Sequence, residues 1–321
     1  MAKLKVKKNV KKLFVIVCII SILIGYGTYS LIKIYKQKQY EKTYEYKLIN
    51  IGYTKDESTT LIDKYKNKEL DYILTTDKNN YYIDLIKEKY FIYDLFYEYL
   101  EYLNEGEKTT PRDIIEIVNT NTDEEYYSET IETDISKKEL MLVNKYYQLD
   151  ESYQPETLVT IPTTYAYGEA GSKKVTEDTY NAFIKLWEAS NNEGYYLMVS
   201  SSYRDFDHQQ RVYDEYEESR GKDYADTIAA RAGHSEHQTG YTIDMFQIGT
   251  TQSTFHTTES YNWLINNAHK YGFILRYPED KEEITGYNFE SWHYRYVGID
   301  AATYIYENNI TFDEYYAYFV K

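Results

Sequence analysis

The N-terminus holds an uncharged apolar run, and no other feature of the sequence constrains the fold as strongly. Residues 13–32 contain no charged side chain, and six lysines without any acidic residue crowd residues 1–12. A helix needs ~20 mainly apolar residues to cross a bilayer, and a basic flank stays on the cytoplasmic side. We therefore predict a cytoplasmic basic tail at 1–12 and a transmembrane signal-anchor at 13–33, with the rest of the chain extracytoplasmic.

A cleaved signal peptide is the alternative interpretation of the same run. Its apolar region would be shorter and would end at a cleavage site of small residues. Gly25, Gly27 and Thr28 offer a poor site of that kind, which favours an uncleaved anchor. Cys18 is the single cysteine and lies inside the run, so no intramolecular disulfide can form.

The charge of the chain excludes one class of partner. The net charge is −16, and without the six lysines of the tail it falls to −22. Nucleic-acid binding needs basic surface that displaces counterions from phosphates. We therefore predict no nucleic-acid partner, and the sequence gives no evidence of an obligate protein partner.

Residues 34–139 are rich in charged residues and have the pattern of a small helical spacer that ends in a linker. The segments TKDE at 54–57 and TPRD at 110–113 are typical of capping boxes at the first turn of a helix. Residues 119–136 begin with NTNTDEE and are typical of a linker. A purely structural role is the interpretation that we favour, and binding of glycans or of a partner is the alternative.

Residues 140–321 have the pattern of a compact domain. Helical patterns at 176–189, 207–217 and 260–270 alternate with short apolar runs of strand character at 195–199 and 273–278. This alternation predicts an α+β domain with a small, mainly antiparallel sheet flanked by helices.

His237 and Asp244 form the first candidate pair for chemistry. On a continuous strand, residues seven apart face opposite sides, and Gly240 with the β-branched residues after it disfavours a helix. A turn at Gly240 that leads into a strand would let both side chains point into one cavity. The spacing alone is weak evidence and favours an aspartate that orients a surface histidine.

Glu290 and His293 form the second candidate pair. Catalytic zinc takes three nitrogen or oxygen ligands and keeps one position for water. His237, Asp244 and His293 supply such a set, and Glu290 remains as a carboxylate able to move protons. A Glu-x-x-His spacing is also common on ordinary helix surfaces, but two clusters in one domain make coincidence less plausible. Trp292 can wall off solvent, and His234 suits a loop role better than ligation.

Arg204 follows the apolar run at 195–199 and is the third candidate element. A guanidinium at a strand end can hold a carboxylate with two hydrogen bonds or stabilise an oxyanion. A structural salt bridge is the alternative for a chain with so many acidic residues.

Three ordered motifs resemble the VanY-like D-alanyl-D-alanine carboxypeptidases, which belong with the lysostaphin-type enzymes and the hedgehog fold to one group of zinc peptidases. The motifs are SSYR at 201–204, SEHQTGYTID at 235–244 and ESWHYRYVG at 290–298, and FILRYP at 273–278 adds to them. The resemblance covers about residues 140–321 and none of residues 34–130. Thr242 departs slightly from the small residue that the family often has there.

The resemblance implies a function and a set of site residues. His237, Asp244 and His293 would bind one Zn²⁺, and Glu290 would be the catalytic base. Arg204 would lie at the reacting carbonyl or the terminal carboxylate. Further residues would help to hold the peptide end, namely Ser235 and Gln210.

The expected reaction is removal of the C-terminal D-alanine from peptidoglycan stem peptides or their precursors, by an enzyme tethered outside a bacterial cytoplasmic membrane. Three alternatives stay open. The same site would also suit an L,D-carboxypeptidase or an endopeptidase on stem peptides. A domain without activity that binds the cell wall is the alternative from another class.

Overall fold

The computed structural model describes residues 2–104, 110–169 and 171–321, with side chains except those of residues 2–9 and 104. Four of the six lysines of the predicted basic tail therefore lie outside the described side chains. The contacts between residues divide the chain into two compact units, Met1–Phe96 (unit 1) and Tyr97–Lys321 (unit 2).

Unit 1 begins with one long helix. Its segment Val10–Tyr40 has a mean hydropathy of 2.2 over its most apolar window and is long and apolar enough to cross a membrane, although a signal sequence meets the same test. Shorter helices follow and bury Leu48, Leu61 and Leu85 completely. The helices of unit 1 are α1 (Ala2–Tyr40), α2 (Tyr44–Asn50), α3 (Lys55–Lys64), α4 (Asn67–Ile73), α5 (Tyr81–Lys87) and the 3₁₀ helix Tyr93–Leu95.

The capping box predicted at the start of α3 is confirmed. The Thr54 hydroxyl accepts a hydrogen bond from the Glu57 amide, and the Glu57 carboxylate accepts one from the Thr54 amide. The second predicted box is confirmed in unit 2, where Thr110 and Asp113 make the same reciprocal pair. Both motifs are local in sequence, so the residues alone specify them.

Unit 2 combines helices with a small sheet. Its α-helices are α6 (Phe96–Asn104, which begins at the last residue of unit 1), α7 (Pro111–Thr120), α8 (Glu177–Asn192), α9 (Phe206–Arg220), α10 (Lys222–Ile228), α11 (Gln252–Phe255), α12 (Glu259–Asn267), α13 (Glu282–Thr285), α14 (Ile299–Asn308) and α15 (Phe312–Phe319). Its 3₁₀ helices are Ile135–Leu140, Glu236–Thr239 and Ala268–Tyr271. Its strands are β1 (Ile131–Glu132), β2 (Tyr147–Gln148), β3 (Val159–Thr160), β4 (Lys174–Val175), β5 (Leu197–Ser201), β6 (Thr242–Gln247), β7 (Phe273–Leu275) and β8 (His293–Tyr296).

The main sheet has the strand order β5-β6-β8-β7, and every neighbouring pair is antiparallel. One face packs on α8 and α12 through a core that includes Phe183, Leu186, Ile243 and Phe273. Helices α14 and α15 build a second core around Phe312. The α+β class with a small antiparallel sheet that the sequence predicts is therefore confirmed.

Unit 2 begins before the domain boundary at residue 140 that the sequence suggests. The segment interpreted as a linker packs into the unit, because Ile131 pairs with Tyr147 in parallel strands and the Tyr127 hydroxyl lies 3.2 Å from that of Tyr287. Its polar composition concealed these contacts, because the backbone makes the pairing at Ile131 and a single hydroxyl makes the contact at Tyr127.

Candidate metal centre and cleft

Two neighbouring strands bring Asp244 and His293 together. These residues are direct partners in the antiparallel register of β6 and β8, so their side chains project from the same face of the sheet. The Asp244 Oδ1 atom lies 3.4 Å from the His293 Nδ1 atom. Both side chains are buried.

A tight turn brings His237 to the same point. His237 lies in the 3₁₀ helix Glu236–Thr239, which ends at Gly240 in the left-handed conformation with φ +72° before β6 begins. Its Nε2 atom is 3.4 Å from Asp244 Oδ1. The turn at Gly240 thus gives the arrangement that the sequence predicted for His237 and Asp244.

The donor atoms of His237, Asp244 and His293 fit a divalent cation. They lie within 4.8 Å of one another, and Asp244 Oδ1 is buried with no hydrogen-bond partner among the described residues. Zinc lies ~2.0–2.2 Å from such ligands, so two ligands of a tetrahedral site are separated by about 3.3 Å. The two observed separations of 3.4 Å meet this requirement.

Each histidine has one ring nitrogen that points away from the site where the three donor atoms converge. The His237 Nδ1 atom lies 2.7 Å from the Ser202 carbonyl oxygen, which fixes that nitrogen as the N–H donor and leaves Nε2 for a cation. In His293 the roles are reversed, because Nδ1 faces Asp244 and Nε2 faces the Glu236 carboxylate at 3.5 Å.

The electrostatics of the cluster favour a bound cation. Burial lowers the pKa of His237 to about 4, so its imidazole is neutral and able to ligate near neutral pH. Burial alone would lower the pKa of His293, but the carboxylates of Glu236, Glu290 and Asp244 outweigh it and raise this pKa to about 9. The carboxylates around His293 therefore stabilise a positive charge at its ring, whereas the His237 ring stays neutral.

Glu290 lies beside the three donors at the mouth of the cleft. Its Oε2 atom is 3.4 Å from His293 Nδ1, and 14% of its side chain is exposed. Its amide donates to the Tyr277 carbonyl at 3.0 Å, which ties the turn before β8 to the end of β7. Burial raises the pKa of the Glu290 carboxyl above its ordinary value, which suits a group that accepts and returns a proton.

Arg204 and Ser235 line the same cleft. The Arg204 amide donates to the His237 carbonyl at 3.2 Å, which holds the residue after β5 against the 3₁₀ helix. Its Nε atom is buried without a hydrogen-bond partner among the described residues, so part of its donor capacity is available to a ligand. Trp292 also lines the cleft, as its position in the sequence predicted.

Gln210 is not brought to the site, and its neighbour Gln209 is. Gln210 is exposed on α9, where its amide donates to Asp214 Oδ1 at 2.7 Å. Gln209 is buried, lines the cleft and donates to the Ala230 carbonyl at 2.7 Å. Adjacent helical residues point about 100° apart, so a one-residue error in the helix phase selects the wrong face.

Sequence reasoning missed two other neighbours of the cluster. The Glu236 carboxylate is buried behind His293, and the Tyr277 ring packs on the His293 ring with centroids 4.8 Å apart. Both residues lie within the motifs at 235–244 and 273–278, but their residue types alone do not indicate a contact with His293. His234, in contrast, stays outside the cluster as expected, with its Nδ1 atom 2.8 Å from the Asn144 carbonyl oxygen.

Comparison with known proteins identifies relatives of the part of the chain that holds the candidate metal centre. The family model described as VanY, D-alanyl-D-alanine carboxypeptidase, matches residues 172–299. The D-alanyl-D-alanine carboxypeptidase of Enterococcus faecalis (strain ATCC 700802 / V583) is 43% identical over 40% of this chain and 51% of its own length. The bifunctional D-Ala-D-Ala dipeptidase and D-Ala-D-Ala carboxypeptidase VanXYC of Enterococcus gallinarum is 31% identical over 57% of this chain and 95% of its own length.

A solved structure shares the fold. The LdcB LD-carboxypeptidase is 36% identical and superposes with a TM-score of 0.56, covering 59% of this chain and 90% of that one. The chain spans between half and two thirds of the length of three of the curated relatives that it matches.

Proposed function

Because the chain belongs to the VanY family of D-alanyl-D-alanine carboxypeptidases, we propose that it is a membrane-anchored zinc carboxypeptidase that removes the C-terminal D-alanine from peptidoglycan stem peptides. The observation that carries the proposal is the convergence of His237 Nε2 and His293 Nδ1 on Asp244 Oδ1, with Glu290 beside them.

His237, Asp244 and His293 would hold one Zn²⁺. When bound, zinc supplies a water of lowered pKa and an electrophile for the peptide carbonyl. Glu290 is not needed as a ligand, so its carboxylate is left to take the proton of the attacking water. It then passes this proton to the nitrogen of the departing D-alanine.

The other polar side chains of the cleft would bind and orient the peptide end. The Arg204 guanidinium would stabilise the oxyanion or hold the terminal carboxylate, and either role would use its buried Nε–H, which has no hydrogen-bond partner among the described residues. Ser235 and Gln209 line the same cleft and would complete the subsite for the terminal residue. Gln209 replaces Gln210 in this role.

The N-terminal helix supports an extracytoplasmic location for the site. The segment Val10–Tyr40 has the length and hydropathy of a membrane span, and the lysines before it favour a cytoplasmic N-terminus. A catalytic unit tethered on the other side would meet stem peptides and their membrane-bound precursors as substrates.

An L,D-carboxypeptidase is the second candidate. The superposed solved structure is that of an LD-carboxypeptidase, so the same architecture also serves an enzyme of that class. The two activities differ in the residue on the N-terminal side of the cleaved bond. A pentapeptide ending in D-Ala-D-Ala and the corresponding tetrapeptide ending in one D-alanine separate them.

The test uses the full chain in detergent micelles, loaded with zinc and incubated with each peptide, with products identified by mass spectrometry. We expect D-alanine release from the pentapeptide, whereas release from the tetrapeptide alone would identify the second candidate. Glu290→Gln should retain zinc and lose about 10²–10⁴-fold in turnover, since it removes the proton carrier. Glu283→Gln, an exposed glutamate on α13, is the matched control and should leave turnover unchanged. Cleavage by Glu290→Gln at the wild-type rate would contradict the mechanism.

A further inference from the structure

Glu236 is one of the residues that line the cleft, but its side chain has no exposed surface. Its neighbours Ser235 and His237 also line the cleft, and its buried carboxylate faces the His293 ring nitrogen that is opposite Asp244. A buried carboxylate is costly unless it is paired and hydrogen-bonded. The contacts of the Glu236 carboxylate therefore indicate its role.

Two buried guanidinium groups hold one oxygen of Glu236. The Arg276 Nε–H donates to Oε1 at 2.7 Å, and Arg295 Nη1 lies 3.0 Å from the same oxygen. Both arginine side chains are fully buried. Burial alone would raise the pKa of Glu236, but these guanidiniums outweigh it and hold the pKa below its usual range.

The position of Arg276 is fixed in turn by the C-terminal helix α15. Arg276 Nη1 and Nη2 donate to the two carboxylate oxygens of Asp313 at 2.6 and 3.1 Å, and Asn144 donates to the same carboxylate at 2.8 Å. Two arginines and two carboxylates make the cluster neutral. A planar guanidinium with two carboxylate partners has little freedom to rotate, so Glu236 is held rigidly.

The second oxygen of Glu236 faces a ligand of the candidate metal centre. Glu236 Oε2 lies 3.5 Å from His293 Nε2, and each of these two buried atoms lacks a hydrogen-bond partner within the described part of the chain. The opposite ring nitrogen, Nδ1, is the one that faces Asp244 and Glu290. The imidazole therefore lies between a fixed carboxylate on one side and the metal donors on the other.

We propose that Glu236 is a positioning residue that accepts the Nε2–H of His293, selects the tautomer with Nδ1 free for zinc, and orients the ring. Deepening the proposed function, this inference rests on zinc binding at His237, Asp244 and His293. A carboxylate on the far nitrogen of a ligating histidine fixes its orientation and raises its basicity, and loss of such a partner costs about 10–100-fold in metal affinity.

The test compares the zinc affinity of Glu236→Gln with that of wild type, measured on the full chain in detergent by competition with a chromogenic chelator. We expect the zinc Kd to rise about 10–100-fold. Glu314→Gln is the matched control, because Glu314 is also a buried carboxylate of unit 2 but bonds to the Thr311 amide at the start of α15 rather than to a ligand. It should lower the melting temperature of the zinc-free protein and leave the zinc Kd within about two-fold of wild type.

A second measurement covers the case in which Glu236→Gln does not fold. Wild-type protein labelled with ¹⁵N-histidine and loaded with zinc should show His293 protonated at Nε2, with slow exchange of that proton, and His237 protonated at Nδ1. Coordination of zinc through Nε2 of His293, or exchange of its proton at the rate of an exposed imidazole, would overturn the inference.

The outcomes separate this inference from the proposed function. Wild-type protein that binds no zinc would refute both. Wild-type protein that binds zinc and releases D-alanine, together with a folded Glu236→Gln variant of unchanged zinc Kd, would refute the positioning role of Glu236 alone.

Discussion

Substitution of Gly240 by alanine tests whether the turn at this residue builds the candidate metal centre. Gly240 adopts φ +72°, its amide donates to the His237 carbonyl at 3.3 Å, and its carbonyl accepts from the Thr176 amide at 3.0 Å. An added Cβ atom would lie 3.0, 3.1 and 3.2 Å from side-chain carbons of Pro155, Thr176 and Leu158. Three neighbours from different segments would have to move at once.

The expected magnitude follows from these two effects. A left-handed backbone costs a residue with a Cβ atom roughly 1–2 kcal/mol. Overpacking in a well-packed site adds about 1–3 kcal/mol. Gly249→Ala is the matched control, because Gly249 has φ +88° but no heavy atom lies within 4 Å of its added Cβ position among the described residues. Gly240→Ala should therefore be less stable than Gly249→Ala by about 1–3 kcal/mol.

Urea unfolding followed by tryptophan fluorescence measures this difference. The three tryptophans of the chain, Trp187, Trp263 and Trp292, all lie in unit 2, so the signal reports the unit that holds the site. We also expect weaker zinc binding by Gly240→Ala, since the same turn positions His237. Equal stability of the two alanine variants would refute the view that close packing at Gly240 fixes the turn.

Three further predictions address the cleft, a buried lysine and the metal. Arg204→Lys should keep zinc but lower kcat/KM about 10–150-fold, since one charge-assisted hydrogen bond contributes about 1.5–3 kcal/mol. Arg211 is exposed on α9, so Arg211→Lys is the control and should match wild type in the peptide assay. Burial lowers the pKa of Lys145 from 10.5 to about 8, so between these pH values the unfolded chain keeps a proton that the folded protein has released. Wild type should therefore gain stability relative to Lys145→Met from pH 8 to 10.5 in thermal unfolding, and a constant difference would contradict this assignment. Chelation should lower the melting temperature of unit 2, and added zinc should restore it. At a free zinc concentration of 100 Kd, the free energy of unfolding should rise by about 2.7 kcal/mol. A melting temperature that does not change with chelator would argue against a metal centre.

The sequence predicted those features of the site that are local in the chain. The fold class followed from alternating helices and short strands, and Gly240 between His237 and Asp244 indicated the turn that joins them. Both depend on residues close in sequence, where propensity and steric limits decide the backbone.

Features that depend on register or on distant partners were not predictable from one sequence. The pairing of Asp244 with His293 is set by the β6–β8 register, and a slip of one residue would turn either side chain to the other face. Gln209 and Gln210 are adjacent residues of the same type, and only the phase of α9 decides which of them faces the cleft. Glu236 acquires its role from Arg276, forty positions away in the chain, and no local pattern marks that contact.

Anomalous diffraction at the zinc edge tests the central claim most directly, on crystals of the zinc-loaded protein. We predict one peak, ~2.0–2.2 Å from His237 Nε2, an Asp244 carboxylate oxygen and His293 Nδ1. Absence of a peak at this point, with the rings of His237 and His293 turned away from each other, would contradict the account.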